Sequence, residues 1–348
     1  MDRSRRTPLN VGVWLALAAA ASFGVSTPLV QIAGRELGPF GTAACLYAGA
    51  ALATVGSRDA GEAPPGRAEV ARLAVVALFG AVLAPAMLAV GLQRASGASA
   101  ALLLTLEAPL TALFGVLVFR EALGARALGA LATITTGAAL LAGGDVAAAG
   151  APWIAGACLA WALDNTLSRP LADFDPVTVV RVKSSLGALL STALVLVRGE
   201  PLPSPLVALA LLACGAFGYG ASLRLYLRAQ RRIGAGRTAS VFATAPFLGA
   251  VAAAALGQPV GAQVAVAGAL MAVGAWLHLG EQHDHAHIHP AITHDHPHRH
   301  DDGHHDDHPH QAPPAGFHSH THTHLPRDHA HAHGEDVHHR HEHPRKAG

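Results

Sequence analysis

From Val11 to Gly280 the chain runs as a series of apolar stretches separated only by Gly, Pro or a few charges. Each is close to the ~20 residues that a helix needs to cross the hydrocarbon core of a bilayer. The breaks divide this region into ten runs, near residues 11–32, 38–56, 71–91, 97–118, 124–143, 150–168, 177–197, 205–226, 237–256 and 260–280. Runs of that length satisfy their own backbone in lipid as helices. The expected fold class is therefore all-α integral membrane, with ten transmembrane helices and the lipid bilayer as the first partner. Composition agrees, with 51% of residues hydrophobic, 14% charged and a mean hydropathy of +0.34. No basic patch with interleaved aromatics is present, so nucleic acid is not an expected partner.

Arg3-Ser-Arg-Arg6 ahead of the first run has the charge of a secretory signal, but the apolar run continues to Ala33. That is longer than a 7–15-residue signal core, so a retained first helix is expected after a cytoplasmic N-terminus over 1–10. Cys45, Cys158 and Cys214 all fall inside apolar runs without CxxC spacing and read as small core residues.

Loop charges set the orientation. With the N-terminus inside, the inner segments hold Arg3, Arg5, Arg6, Arg58, Arg67, Arg72, Arg120, Arg126, Arg169, Arg228, Arg231, Arg232 and Arg237, and the outer ones Arg35, Arg94 and Arg198. This asymmetry places both termini in the cytoplasm of a multi-pass inner-membrane protein.

Shifting the chain by 137 positions aligns Gln93-Arg94 with Gln230-Arg231, Ala108-Pro109 with Ala245-Pro246, Gly124-Ala125 with Gly261-Ala262, and Gly137-Ala138 with Gly274-Ala275. Between the first spans the offset becomes 139, pairing Trp14 with Trp153 and Thr27 with Thr166. The body thus reads as two five-helix units, 11–143 and 150–280. Five is odd, so the second unit enters from the opposite face. The loop with Arg120, Glu121 and Arg126 lies inside, and its uncharged partner, Gly257-Gln-Pro-Val-Gly-Ala-Gln263, lies outside. Inverted repeats of this kind are common in secondary transporters, with the substrate site near the midplane. A duplicated structural membrane protein is the bland alternative.

The segment Gly97-Ala-Ser-Ala-Ala-Leu-Leu-Leu-Thr-Leu-Glu-Ala-Pro-Leu-Thr-Ala-Leu-Phe-Gly-Val-Leu-Val-Phe-Arg-Glu-Ala-Leu-Gly124, with the Gly-rich run to Gly144, resembles the EamA repeat of the drug/metabolite transporter superfamily. The resemblance spans residues 11 to 280. It implies a transporter fold and leaves the substrate open, since the superfamily exports amino acids, other metabolites, drugs and ions. The chain departs from the family pattern at Gln258, where Glu is common, and at Asp164-Asn165, where a plainer polar residue is usual.

An ionisable residue in mid-span costs about 2.5–3.5 kcal/mol on insertion scales, so each one is a functional candidate. Glu107 lies mid-way along the fourth run, two residues before Pro109. As a carboxylate it can take a cation or a proton; as a structural residue it is a hydrogen-bonded packing element. Asp164 and Asn165 near the inner end of the sixth run, and Arg181 and Lys183 early in the seventh, lie at similar depths. Pairing between Asp164 and Lys183, contact with substrate, or snorkelling of Arg181 to the headgroups are the available roles. Pro109 and Pro246, matched between the repeats, are hinge candidates. Trp14, Trp153 and Trp276 fit interfacial anchors.

All but His278 of the 24 histidines lie between His283 and His343, in a tail over 281–348 where His-x-His recurs. His283, His285, His287, His289, His294, His296, His298, His300, His304 and His305 are the candidate metal ligands, with interspersed carboxylates supplying oxygen donors. Neutral imidazole suits nickel, cobalt and zinc. Apolar content is too low for a core, so disorder is expected without metal. No cofactor is required by the membrane body.

The leading expectation is an exporter of a divalent transition metal, or of a metabolite that chelates one, fed by a cytoplasmic tail. An amino-acid or metabolite exporter whose tail buffers metal is the second, and a membrane-anchored metal store the third. A second copy of the chain stands among the candidate partners. No nucleophile–base pair, phosphate loop or cofactor motif appears, which disfavours an enzyme.

Overall fold

The computed structural model describes residues 6–56, 67–119, 124–144, 148–168, 171, 175–233 and 235–279, together with four extended segments of the tail. Arg3, Arg5, Arg58, Arg120, Glu121 and Arg169 lie outside the described residues, as do His300, His304 and His305. The helices are α1 (Arg6–Ala33), α2 (Pro39–Leu52), α3 (Arg67–Ala77), α4 (Ala84–Leu92), α5 (Gly97–Leu103), α6 (Glu107–Phe119) and α7 (Ala125–Ala142) in the first half. In the second half they are α8 (Ala151–Ser168), α9 (Pro176–Arg198), α10 (Pro205–Cys214), α11 (Ser222–Ile233), α12 (Ala235–Phe242), α13 (Ala245–Ala255) and α14 (Ala262–Leu279).

Against the ten spans expected, seven helical stretches among the described residues are long and apolar enough to cross a membrane. Two more, Pro39–Leu52 and Ala262–Leu277, are apolar but shorter. The reason for the shortfall at α2 is length: its 14 residues rise about 21 Å, short of a ~30 Å hydrocarbon core. The 18-residue α8 also stands outside the seven and carries Asp164, Asn165 and Thr166 near its end.

The helix ends gather at two poles. Side-chain contacts tie together the turns near 34–38, 93–96, 199–200 and 258 at one pole, as with Gln93 Nε2 donating to Gly34 O (3.2 Å) and Leu37 O (3.0 Å). At the other pole Arg181 Nη2 donates to Thr54 O (2.7 Å) and Arg224 Nη1 to Ala53 O (3.1 Å). Two of the expected tryptophan anchors are held by cations: the Arg94 guanidinium lies 5.3 Å from the Trp153 ring centre at the first pole, and Arg126 5.6 Å from Trp276 at the second.

The duplication is visible in α7 and α14. A Cβ built on Gly137 would stand 3.0 Å from Ala267 O, and one on Gly274 3.0 Å from Ala130 O. Both pairs of positions, Gly137 and Gly274, Ala130 and Ala267, are 137 apart, so the two contacts are mates under a local two-fold. As numbers rise along one helix the contacting numbers fall along the other, so the helices are antiparallel and the axis lies across them, as an inverted repeat requires. Glycine at these positions lets the backbones approach directly.

The third span of each half is interrupted at the same place by a π-helical turn, Leu78–Leu83 between α3 and α4 and Gly215–Ala221 between α10 and α11. The fourth spans break in register too. A 3₁₀ turn, Leu104–Leu106, separates α5 from α6, and a turn at 243–244 separates α12 from α13, with Pro246 in the first turn of α13.

Where the sequence favours disorder in the tail, the structure has four strands. β1 (His283–His289) pairs antiparallel with β4 (Arg327–His333), and β2 (Ile292–His298) with β3 (His318–His324), in registers that set His285 opposite His331 and His296 opposite His320. The His-x-His alternation has the two-residue period of a strand, which is the local reason for extended backbone here.

Candidate functional site

The site is assembled around one stripe of α8. Trp161, Asp164, Asn165 and Ser168 are spaced i, i+3, i+4 and i+7 and share a face. Asp164 is buried and forms an ion pair with Lys183 of α9, while Ser168 Oγ donates to its Oδ1 at 3.3 Å. Lys183 is positioned by close packing one turn further along α9: a Cβ on Gly187 would stand 3.1 Å from Ala81 O, in the first π-turn. The start of α9 is fixed by Asp175, whose carboxylate accepts from Val177 N (3.0 Å) and Thr178 N (3.1 Å) with Pro176 at the first position.

The π-turn does two things for this cluster. It widens the helix, and a π-turn leaves a carbonyl outside the regular ladder. Gly80 O accepts from Tyr47 Oη of α2 at 2.5 Å and from Trp161 Nε1 of α8 at 3.1 Å. Gly80 also leaves room for Asp164, whose carboxylate occupies the place a side chain at position 80 would need. Glycine is required there by close approach.

Glu107 stands where α6 begins, after the 3₁₀ turn. Its carboxylate accepts from Asn165 Nδ2 at 2.8 Å. Two physical causes place it there. Pro109 has no N–H, so the carbonyl four residues back loses its helical donor and the ladder breaks. Thr105 Oγ1 meanwhile donates to Leu102 O at 2.8 Å and supports the tight turn. A carboxylate in the first turn of a helix is also favoured by the axial dipole. Glu107 is half-buried and Asn165 exposed, so the pair has access to the outside of the protein, unlike the Asp164–Lys183 pair beside it.

Rings continue the site toward the π-turn of the second half. Tyr47 meets Tyr219 edge-on at 5.6 Å, Tyr219 meets Phe23 at 5.6 Å, and Phe23 meets Trp161 at 6.2 Å. Phe242, just before the second helix break, lies 5.8 Å from Phe23 and 5.2 Å from Tyr226. All three tyrosines of the chain take part in this series.

Of the residues singled out in the sequence, the structure joins Asp164 to Lys183 and Asn165 to Glu107, two pairs on three helices. Arg181 is not with them: it turns to the pole where it binds Thr54 O at the C-terminal end of α2. Pro109 and Pro246 each sit in the first turn after a break. Among the described residues no group of three or more His, Cys, Asp or Glu is arranged to hold a metal. Tyr47, Gly80 and Trp161 were not legible in advance; their role depends on the π-turn, which the run Leu78-Phe-Gly-Ala-Val-Leu83 does not announce.

The charge balance defines the chemistry available. Asp164 is matched by Lys183, whereas Glu107 is paired with a neutral amide. Among the described residues the cluster therefore carries one carboxylate in excess.

Comparison with known proteins assigns this architecture. The model of the EamA-like transporter family matches residues 10–143 and 148–280, one match for each half. A protein of Methanothermobacter thermautotrophicus (strain Delta H), described as an uncharacterized transporter, is 31% identical over 216 residues, covering 59% of this chain. The chain spans 63% of that relative's length. A solved structure described as the crystal structure of a protein matches with a TM-score of 0.55 at 20% identity, over 78% of this chain and 95% of its own, which shows a shared fold. With two family repeats covering the whole helical body, the chain is a multi-pass membrane protein that belongs to the EamA-like transporter family, within the drug/metabolite transporter superfamily.

Proposed function

We propose that the chain is an inner-membrane exporter of small metabolites that carry a cationic amine, amino-acid-like in chemistry. Ten spans, two shorter than the rest, carry it across the bilayer with both termini in the cytoplasm, and Glu107 takes the proton or the cationic group that moves. The observation that supports this most is the uncompensated Glu107 at a helix break, hydrogen-bonded to the Asn165 amide and reachable from outside the protein. A carboxylate in a low-dielectric setting gains most from a partner of opposite charge, and aromatic faces add cation–π attraction for an ammonium group. The Asp164–Lys183 pair offers a second polar contact to a zwitterion. Pro109 and Pro246, at the two breaks, act as the hinges.

A second reading, export of nickel, cobalt or zinc, is favoured by one specific observation, the His-x-His tail beyond the last helix. There the tail gathers the ion on the side from which efflux starts. Accumulation in inside-out vesicles bearing either the whole chain or a chain truncated after Gly280 separates the two. Saturable uptake of labelled amino acids and amines, equal in both vesicles and indifferent to metal, is the expected result. Uptake of labelled metal ions that is lost on truncation would replace the first reading with the second.

A further inference from the structure

At the pole that holds Arg35, Arg94 and Arg198, the two repeats are joined by a small set of uncharged hydrogen bonds. Gln31, two residues before the end of α1, donates from Nε2 to Leu92 O (2.6 Å) and Ala95 O (2.7 Å), which knits its own repeat into a rim. Its Oε1 accepts from Gln258 Nε2 at 2.8 Å, across the repeat boundary. Gln258 Oε1 in turn accepts from Gly97 N at 2.6 Å, at the start of α5. A Cβ on Gly97 would stand 2.7 Å from each of the two Oε1 atoms, so a side chain there would push both amide oxygens aside. Gln258 follows Gly257, whose φ of +83° turns the chain out of α13 into the connection to α14.

A second contact at this pole differs in kind. Glu200, at the end of α9, accepts from Gly41 N (2.9 Å) and Phe40 N (3.4 Å) at the N-terminus of α2. Arg181 and Arg224 bind carbonyls at the other end of the same helix. α2 belongs to the first repeat by sequence, yet charged groups of the second repeat hold both its ends. Such charge-assisted bonds are about twice as strong as neutral ones.

We infer that Gln31, Gln258 and Gly97 form the outer gate of the transporter: a neutral amide latch that parts and re-forms as the repeats move, while α2 stays clamped to the second repeat. Neutral amide bonds hold the closed rim and exchange readily for water. In this chain an ionised carboxylate at position 258 would face the Gln31 Oε1 acceptor. The latch closes the rim at the start of α5, ten residues before Glu107 along the broken fourth span. Other charged groups of this rim are engaged or exposed: Arg94 lies over Trp153, Glu200 binds α2, and Arg35, Glu36 and Arg198 are exposed. The inference rests on the orientation proposed above and is independent of the cargo.

Thr27 provides the reporter. It is 3% exposed and lies one turn from Gln31 on the same face of α1. The full-length chain, with Cys45, Cys158 and Cys214 replaced by alanine and with Thr27→Cys, is labelled by an impermeant maleimide applied to either face of the membrane. Gln258→Ala and Gly97→Ala are each expected to raise the labelling rate about tenfold, the scale set by one or two neutral hydrogen bonds. Gln258→Glu should behave as a pH switch. Protonated, the carboxyl donates to Gln31 Oε1 and accepts from Gly97 N, which keeps the latch. Ionised, it sets two acceptors face to face and labelling accelerates, measured as a ratio to the parent at each pH. Reversible pH dependence of that ratio also excludes simple misfolding. Acceleration from the outer face supports both latch and orientation, and acceleration from the tail's face supports the latch while reversing the orientation. Rates in Gln258→Ala that match the parent, or a flat ratio in Gln258→Glu, overturn the proposal.

Discussion

The crossing of α6 with α8 and the crossing of α13 with α1 are equivalent places in the two repeats, and they are built differently. In the first, the broken fourth span presents Glu107 to Asn165, beside the Asp164–Lys183 pair. In the second, the position matching Glu107 is Thr244 and those matching Asp164 and Asn165 are Val25 and Ser26. Thr244 Oγ1 donates to Val241 O and Ser26 Oγ to Phe23 O, each at 2.7 Å, so both hydroxyls are satisfied within their own helices. The backbones there approach closely, Gly24 lying against Gly249 and Ala245. Duplication has kept the break in both halves, while charge is confined to one of the two crossings. The breaks therefore belong to the fold, and the charges single out where cargo and coupling ion are to be sought.

The largest expected effect falls on the charged crossing. Asp164→Asn leaves the Lys183 ammonium without its counter-charge in a buried site, and losing one member of a buried pair costs about 3–5 kcal/mol. Thermal unfolding in detergent should show most of that loss recovered when Lys183→Met is added. A double variant no more stable than Asp164→Asn would mean that the pair contributes more than charge balance.

Making the neutral crossing resemble the charged one should be nearly as costly. Thr244→Glu puts a carboxylate at a membrane depth where Ser26 stands in place of the Asn165 amide, at about 2.5–3.5 kcal/mol. If the variant unfolds at the parent's temperature, the second crossing has its own aqueous access and the two crossings are not asymmetric. A smaller effect distinguishes the two π-turns. Gly80→Ala forces the Asp164 carboxylate aside, and overpacking of that order costs about 1–3 kcal/mol. Phe217, its counterpart in the second π-turn, is exposed, so Phe217→Ala should leave the unfolding temperature close to the parent's.

Much of this was written in the sequence. Apolar runs and the offset of 137 give the helices and the duplication, because both are one-dimensional patterns. Depth along neighbouring spans brings Asp164 and Lys183 to the same level, since rise per residue is fixed. What stays hidden depends on departures from regular helix. Leu78–Leu83 has the composition of any buried turn, so neither its widened ladder nor the convergence of Tyr47 and Trp161 on Gly80 O follows from it. Gln258 stands out as a departure from the family pattern, but its partner Gln31 lies 227 residues away and only the folded chain joins them. The tail shows the same limit: its two-residue period is legible, whereas the register setting His283 opposite His333 is not.

Glu107→Gln separates folding from transport most sharply, because it should hardly disturb the protein. The amide oxygen of the introduced side chain still accepts from Asn165 Nδ2, and a neutral bond in place of a charge-assisted one changes stability by about 1 kcal/mol or less. Insertion into the bilayer becomes easier, since an ionisable group has gone. If Glu107 takes up the proton or the cationic group, the same variant loses that capacity completely, and driven solute accumulation in vesicles should vanish while unfolding temperature and membrane yield are kept. Retained accumulation would reassign Glu107 to packing at the break and leave Asp164 as the remaining carboxylate. Loss of both stability and transport would instead place its importance in the joint between α6 and α8.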